Sequence, residues 1–428
     1  MLPTMPCRGS GSGRPPIRAR NQGGSAVVAE RFGGPMHIAF TEEQEQLRKE
    51  LREYFAGLIT DEVADELAHG GMEREGSTLY RDLVRQMGQD GWLGIGWPKA
   101  YGGQGRSMLE QMIFTDEAAV AGAPVPFLTI NTVGPTIMEY GTEEQKDFFL
   151  PRILRGEMHF SIGYSEPDAG TDLAALRTRA VRDGDEWVIN GQKMWTSLIQ
   201  SADYVWLAAR TDPDAPRHKG LSVFLVPTSS EGFSYTPVPT VSGATTSQTF
   251  YNDVRVPTSA VVGPVNEGWR LITGQLNRER VALCSPASVQ RSLREVRDWA
   301  ASTVGADGRP VMDHEWVRMN LARVHAKVEF LKLINWKIAW GVDKGVSPAD
   351  ASATKVFGTE FYTEAYRLLM ECLGEEAYVQ ADSPGAKLRG RLERSYRGTL
   401  ILTFGGGTNE VQRDIISMVA LGMPRAPR

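Results

Sequence analysis

The hydrophobic pattern of this 428-residue chain changes its period twice, and the resulting order of segments strongly constrains the fold. Residues 36–158 carry apolar side chains every three or four positions, which is typical of amphipathic helices. Short β-prone runs separated by turn residues fill residues 159–265, and the helical period returns over residues 266–428. The sequence therefore predicts an α+β protein with a helical domain, a small β domain and a second helical domain.

Local signals support these three assignments. Thr41 with Gln44, and Ser107 with Glu110, have the spacing of a capping box at a helix start. Asp183-Gly184 separates two alternating segments and predicts a β-hairpin. Further strands are predicted within residues 204–210, 221–227, 234–241 and 249–257. A stripe at helical spacing predicts one face of the last bundle, and it comprises Val317, Leu321, Val324, Val328, Leu331, Ile334 and Ile338.

The first 35 residues differ from the rest in composition. They contain seven glycines and five prolines, and five arginines against one acidic residue. Such a segment buries too little apolar surface to offset its ordering entropy, so residues 1–35 are predicted to be a disordered extension, with Met36 as a second start. A transit peptide is the alternative, because these are rich in arginine and poor in acids.

Composition excludes several classes of protein. The net charge of -5 argues against a nucleic-acid-binding protein. The sequence contains no apolar run of 18 residues, so we expect no membrane-spanning helix. The three cysteines are far apart, and the six histidines form no metal-binding pattern, which is compatible with a reducing cytoplasm. His325, within the helical stripe, is interpreted as structural.

Two segments suggest a site for a flat, phosphorylated ligand, "YSEPDAGTDL" at 164–173 and "NGQKMWTS" at 190–197. Gly170 allows backbone to approach a ligand closely, and Thr171 offers an N–H and a hydroxyl to phosphate. Ser165 can hydrogen-bond the polar edge of a heterocycle. Trp195 supplies a flat apolar surface, with the hydroxyl of Ser197 beside it. Taken alone, such residues usually form turns.

These two segments resemble the acyl-CoA dehydrogenase family, as do residues 91–105, 140–153 and 406–416, which read "GWLGIGWPKAYGGQG", "YGTEEQKDFFLPRI" and "GGTNEVQRDII". The five motifs follow the order of the family over nearly the whole chain after Met36. The resemblance implies an N-terminal α-helical bundle, a middle β-barrel-like domain and a C-terminal four-helix bundle. It also implies oxidation of an acyl-CoA thioester at its Cα–Cβ bond.

The resemblance further implies an FAD bound between the β domain and the C-terminal bundle. By motif match, Ser165 would bond the pyrimidine side of the flavin, and Gly170 and Thr171 would lie at the pyrophosphate. Trp195 would cover the ring, and Ser197 would donate near N5. Tyr164 and Thr408, in the same motifs, complete the predicted cofactor-binding set.

The catalytic base departs from the usual pattern of the family. Most members carry a glutamate at the position of Gly406 in "LTFGGGTNE". A second position for the base is known early in the C-terminal bundle, and here "QLNRERVAL" places Glu279 there, followed by Arg280. Glu279 is therefore the predicted base, and Glu410 is a less favoured alternative. The N–H of Gly406 would still hold the thioester oxygen.

The glycine triplet 405–407 has two possible explanations. Gly405 and its neighbours could leave room for a bulky acyl group, and Gly405 and Arg280 are the predicted substrate-binding residues. Alternatively, the triplet forms a loop that needs positive φ before the last predicted helix, which starts at about Thr408.

A second departure concerns the partner. Homomeric relatives lend a neighbouring subunit an Arg-x-x-Phe-Gly segment and a Gln-x-x-Gly-Gly-x-Gly segment that clamp FAD. Neither motif is found in the corresponding stretches at 297–317 and 369–380. The sequence resembles the base-carrying subunit of actinobacterial α2β2 dehydrogenases of steroid side chains. The resemblance thus implies a paralogous partner subunit, a steroid acyl-CoA substrate and an electron-transferring flavoprotein as acceptor.

Two alternatives to this function remain at the level of sequence. An acyl-CoA oxidase or a flavin monooxygenase could use the same fold. A non-catalytic subunit of a heteromeric dehydrogenase is suggested by the glycine at position 406.

Overall fold

A computed structural model describes residues 38–68, 77–282, 284–341, 347–381 and 383–424, without the side chains of residues 276–282. The predicted disordered extension, residues 1–35, lies outside the described residues. Among the described residues, those from Gln44 onward belong to one compact unit. The described residues contain no helix that is long and apolar enough to cross a membrane. They also contain no cluster of His, Cys, Asp or Glu side chains that could hold a metal ion.

The N-terminal helical region has six α-helices among the described residues: α1 Glu42–Leu58, α2 Asp61–Ala68, α3 Leu79–Gln89, α4 Met108–Ala121, α5 Gly134–Tyr140 and α6 Glu143–Leu154. The predicted capping box of α4 is confirmed, because the Ser107 side chain accepts from the N–H of Glu110 and the Glu110 carboxylate accepts in return. The α1 and α4 helices meet through Phe55 and Phe114, whose ring centroids are 5.8 Å apart.

The middle region forms one mixed sheet from eight strands: β1 Phe160–Gly163, β2 Arg179–Asp183, β3 Glu186–Lys193, β4 Tyr204–Arg210, β5 Leu221–Pro227, β6 Phe233–Pro239, β7 Thr245–Pro257 and β8 Val261–Val262. The strand order is β6-β7-β3-β2-β4-β5-β8, and β1 pairs in parallel with β4. The predicted hairpin is confirmed: β2 and β3 are antiparallel, with Asp183 opposite Glu186, and the turn contains Gly184 at φ 60°. Because β4 and β5 are buried along nearly their whole length, they lack a polar face.

Among its described residues, the C-terminal region contains four long helices, α7 Gly268–Ala282, α8 Ala287–Ser302, α9 Glu315–Gly341 and α10 Pro348–Leu373, and two shorter ones, α11 Arg391–Thr399 and α12 Asn409–Val419. Six of the seven residues in the predicted stripe of α9 are buried. The exception is Ile334, which is half-buried. Asn335 takes the core position and donates to the carbonyl of Cys284 at 2.8 Å. His325 is exposed on α9.

Candidate active site

The two motif segments of the β region lie side by side. The backbone N–H of Met194 donates to the carbonyl of Ser165 at 2.8 Å. The ammonium of Lys193 donates to the carbonyl of Tyr164 at 3.0 Å. Residues 164–165, which follow β1, are therefore fixed against the end of β3, and the side chains expected at the flavin come from two adjacent stretches of backbone.

A buried ion pair fastens these segments, and sequence reasoning missed it. Lys193 and Glu166 are 2.9 Å apart, with side chains 0% and 7% exposed. Glu166 also accepts from the N–H groups of Arg177, at 2.6 Å, and Thr178, at 2.8 Å. Burial lowers the pKa of Lys193 to about 8 against the opposing effect of Glu166. Burial alone would raise the pKa of Glu166, but Lys193 and these N–H donors lower it overall.

Tyr164 directs its hydroxyl into the core, where it connects the β region to α7. The hydroxyl donates to Oε1 of Gln275 at 2.5 Å. The indole N–H of Trp206 contacts both, at 2.9 Å from the Tyr164 oxygen and 3.0 Å from Gln275. The Tyr164 hydroxyl therefore links the β region to α7 and does not point toward the exposed motif residues.

Gly170 and Thr171 are exposed after the turn that follows Glu166. A Cβ atom placed on Gly170 would meet no atom within 4 Å, so the packing of the protein does not require glycine there. An open approach to bare backbone suits a diphosphate, which is the group expected at this position.

The segment from Trp195 to Leu198 presents an aromatic face on a strained backbone. Trp195 and Leu198 have φ values of 64° and 58°, which are unfavourable for residues other than glycine. Between them, the N–H of Thr196 donates to the carbonyl of Ser247 at 2.9 Å. The indole of Trp195 is 56% exposed, and the exposed Ser197 has its hydroxyl 3.1 Å from that of Thr246. The segment thus combines a flat apolar surface with a hydroxyl, as the sequence suggested.

The glycine loop before α12 supports the backbone explanation for two of its three members. Gly406 and Gly407 have φ values of 69° and 93°. A Cβ on Gly405 would lie 3.0 Å from the carbonyl oxygen of Ile401, a close contact. Thr408 caps α12, because its hydroxyl accepts from the N–H of Val411 at 3.2 Å.

Buried polar side chains hold this loop, and the sequence analysis did not identify them. Lys355 of α10 donates to the carbonyl of Gly407 at 2.8 Å, and Gln412 of α12 donates to that of Gly406 at 3.4 Å. Both side chains are fully buried. A lysine or glutamine in a helical pattern normally predicts an exposed position, so no local signal reveals them.

The turn between β6 and β7 lies between the Trp195 segment and α11, the helix that precedes the glycine loop. The guanidinium of Arg397, on α11, donates to the carbonyl of Val241 in this turn. Thr246, just after the turn, contacts Ser197. The chain continues from α11 directly into residues 400–403 and the glycine loop. Helix α11, which leads into the glycine loop, and the Trp195 segment therefore both contact this turn.

The structure describes the backbone of the predicted base, Glu279, but not its side chain. Glu279 and Arg280 belong to α7, but their side chains lie outside the described residues. Glu279 follows Gln275, the partner of Tyr164, by four positions, so its backbone is about one helical turn, ~6 Å, further along α7. Glu410 is exposed in the first turn of α12, where backbone N–H groups lower its pKa. A general base working near neutral pH benefits from a raised pKa, which disfavours Glu410.

Three protein-family domains together match almost the whole of the described chain. Residues 41–157 match the acyl-CoA dehydrogenase N-terminal domain, 161–254 the middle domain and 266–421 the C-terminal domain of the same family. The chain is 65% identical over 400 residues to acyl-CoA dehydrogenase FadE26 of Mycobacterium tuberculosis, covering 92% of this chain and 100% of that one. FadE29 of the same organism is 47% identical over 395 residues, with 92% and 100% covered.

Solved structures show the same fold. The ChsE4-ChsE5 complex from Mycobacterium tuberculosis contains a chain that is 65% identical, with a TM-score of 0.86 and coverage of 91% of this chain and 100% of that chain. The Tcur3481-Tcur3483 steroid ACAD contains one that is 50% identical, with the same TM-score and coverage.

Proposed function

The chain belongs to the acyl-CoA dehydrogenase family, and we propose that it uses FAD to introduce a Cα–Cβ double bond into a steroid side-chain acyl-CoA. The observation that carries this proposal is the 65% identity to a chain of the ChsE4-ChsE5 complex over 100% of that chain. The name of a second relative, 50% identical, includes the words steroid ACAD.

The residues present fit FAD as the cofactor. The bare backbone at Gly170 is open to a diphosphate, and the exposed indole of Trp195 offers a flat face to a ring. Ser165 and Ser197 supply polar groups near that face. When bound, FAD supplies the acceptor for the hydride that leaves Cβ. The Glu166–Lys193 ion pair would keep the two binding segments in register during this transfer.

The protein itself must remove the α-proton. We assign this step to the Glu279 carboxylate, which takes the proton while the Cα–H electron pair shifts toward the thioester carbonyl. The N–H of Gly406 would donate to the thioester oxygen, where negative charge develops. The base would thus come from α7, and the N–H group that binds the thioester oxygen would come from the loop before α12.

A paralogous subunit is the proposed partner. A relative of this chain was solved as a complex of two differently named proteins, ChsE4 and ChsE5. In this chain, residues 303–311 form a tight turn closed by pairing of Val304 with Pro310, and residues Gly374–Tyr378 form a short 3₁₀ helix with Glu375 and Glu376. Glu375 and Glu376 offer no positive charge to a diphosphate, and Glu376 pairs with Lys387 at 3.7 Å. We therefore expect the partner to supply the cofactor clamp in an α2β2 assembly, with an electron-transferring flavoprotein as acceptor.

The test is Glu279→Gln in the complex with the paralogous subunit, followed by rapid-mixing measurement of flavin reduction by a steroid side-chain acyl-CoA. We expect reduction to slow by about 10²–10⁴-fold, the usual contribution of a general base. Glu410→Gln is the matched control, and its rate should stay within a few-fold of the wild type. Slow reduction in the control together with normal reduction in Glu279→Gln would reassign the base to Glu410.

A non-catalytic role is the second candidate, and the glycine at position 406 is the observation that favours it. In that case the complex would bind flavin and acyl-CoA, yet Glu279→Gln would change nothing, because the partner would carry the base. Detection of the unsaturated acyl-CoA product in complexes with and without this substitution separates the two functions.

A further inference from the structure

The solvent-facing side of α9 carries a second row of apolar side chains, which recur at steps of three and four residues. The row contains the exposed residues Trp316, Met319, Ala326, Phe330, Leu333 and Trp340. Its large side chains are between 50% and 69% exposed. Arg323 and Lys337 fill the two remaining steps of the same seven-residue repeat. This spacing is that of the a and d positions of a coiled coil, which pack against a second helix.

This exposed row lies almost opposite the buried stripe of α9. Each residue turns a helix by 100°, so the two rows are about 150° apart around the helix axis. The buried stripe belongs to the core of the C-terminal region, together with Phe361 and Leu369 of α10. A helix on the surface of a single bundle needs only one apolar face. The second face of α9 therefore indicates a second packing partner.

The exposed row offers enough apolar surface for a contact between proteins. Its large side chains, each at least half exposed, present on the order of 500 Å² of apolar surface. The largest apolar patch on a typical monomer covers about 300–600 Å². A stable interface buries about 800 Å² from each partner, so the row and its polar flanks supply most of what such a contact needs.

The two charged side chains of the row do not prevent such a contact. The guanidinium of Arg323 pairs with Glu364 at 2.5 Å, and the ammonium of Lys337 pairs with Asp350 at 3.2 Å. Both carboxylates belong to α10, so the charged ends are already paired within the chain. Because the alkyl stems of these side chains remain in the row, they add apolar surface to it.

The order of side chains makes the row complementary to itself when two copies run antiparallel. With Val328 at the centre, positions equally distant from it face each other. Trp316 then faces Trp340 of the second copy. The small Ala326 faces the large Phe330 of the second copy, and each charged position faces an apolar one. In a parallel pair every residue would face its own counterpart, so the two arginines and the two lysines would repel each other.

We propose that this row is the contact between two copies of the chain, whose α9 helices pack antiparallel across a twofold axis. A twofold contact uses the same surface of both copies, so it requires a self-complementary patch. The α2β2 assembly proposed above contains two copies of this chain, and this contact joins its two halves. The inference concerns assembly and does not depend on Glu279 being the base.

The first test combines two single-cysteine variants, Ala326→Cys and Phe330→Cys, in differently tagged chains that are co-expressed with the paralogous subunit. Both chains also carry Cys7→Ser, and the native Cys284 and Cys372 are buried. In the proposed register the two new thiols face each other, so mild oxidation should link the two tagged chains on a non-reducing gel. Either variant alone should link far less, because thiols of the same number lie about 6 Å apart along the helices.

The second test measures the mass of the complex by light scattering after size-exclusion chromatography. Ala326→Glu places a carboxylate at the centre of the row, and the mass should fall to that of half the assembly. His325→Glu is the matched control, because His325 is exposed on α9 outside the row, and its complex should keep the wild-type mass.

The disulfide test introduces no charge, so it still decides the question if Ala326→Glu does not fold. A disulfide from Ala326→Cys to the paralogous subunit, in place of the second tagged chain, would assign this face to the unlike subunit and overturn the proposal. Equal linking when His325→Cys replaces Ala326→Cys would also overturn it, and so would a wild-type mass for Ala326→Glu.

Discussion

The buried imidazole of His159 makes the stability of the protein depend on pH. The side chain is 2% exposed and packs against Tyr80, with ring centroids 5.3 Å apart. Burial, assisted by the nearby charge of Arg81, lowers its pKa to about 4 from an ordinary value of 6.5. The unfolded chain therefore binds this proton more tightly than the folded one. The resulting stability is present above pH 6.5 and is lost as pH falls toward 4.

We expect His159 to account for about 1–2 kcal/mol of the stability lost between pH 7 and pH 5. In His159→Phe, the free energy of unfolding should fall between pH 7 and pH 5 by that much less than in the wild type. Any loss of stability that the substitution causes equally at both pH values does not affect this difference. Urea unfolding at the two pH values measures the difference. The same substitution at the exposed His325 is the control, and it should retain the slope of the wild type. An unchanged slope in His159→Phe would mean that other groups cause the acid sensitivity.

The buried Glu166–Lys193 ion pair is a second feature whose loss should destabilise the protein. Glu166→Gln would leave the Lys193 ammonium buried without its carboxylate, which typically costs about 3–5 kcal/mol. We expect a corresponding fall in the free energy of unfolding, and we expect Lys193→Met in the same chain to recover much of the loss. Asp168→Asn is the matched control, because Asp168 and Arg177 form an exposed pair 3.9 Å apart. Its change should stay within about 0.5 kcal/mol.

At the scale of elements, the conformation of the glycine loop requires a residue that tolerates positive φ at position 406. Gly406→Ala would force a side chain into the left-handed region at φ 69°, at a cost of about 1–2 kcal/mol. Gly398→Ala is the control, since Gly398 lies within α11 and a Cβ there would meet nothing within 4 Å. We expect thermal unfolding to show a lower Tm for the first variant and an equal or higher Tm for the second. Equal Tm values for Gly406→Ala and the wild type would contradict the constraint.

Sequence periodicity predicted the elements well because burial repeats along them. The α9 stripe and the strands β4 and β5 follow from side chains that face one core, and the cap of α4 follows from residues three positions apart. Contacts between distant residues escaped the same reasoning. Lys355 and Asn409 are separated by 54 positions, and Glu166 and Lys193 by 27. Each of these residues alone predicts solvent exposure, and only the folded chain brings them together.

At the scale of the whole molecule, the proposed site is divided between two kinds of subunit. This chain carries the motif residues that would face the flavin, Ser165, Trp195 and Ser197, whereas the clamp motifs of homomeric relatives are missing from its sequence. A diphosphate bound without an arginine partner would lose its strongest charge-assisted hydrogen bonds. The cofactor should therefore bind weakly to this chain when it is purified alone.

The flavin-to-protein ratio measures this division directly. We expect the chain purified alone to contain well below one flavin per chain, and co-expression with a paralogue carrying an Arg-x-x-Phe-Gly segment to restore flavin. Replacing that arginine in the paralogue by alanine should remove flavin again while size-exclusion chromatography still shows the complex. Flavin that remains in the complex despite this change would place the clamp elsewhere. A ratio near one for the chain alone would mean that copies of this chain complete the site for one another, and the requirement for an unlike subunit would then fall.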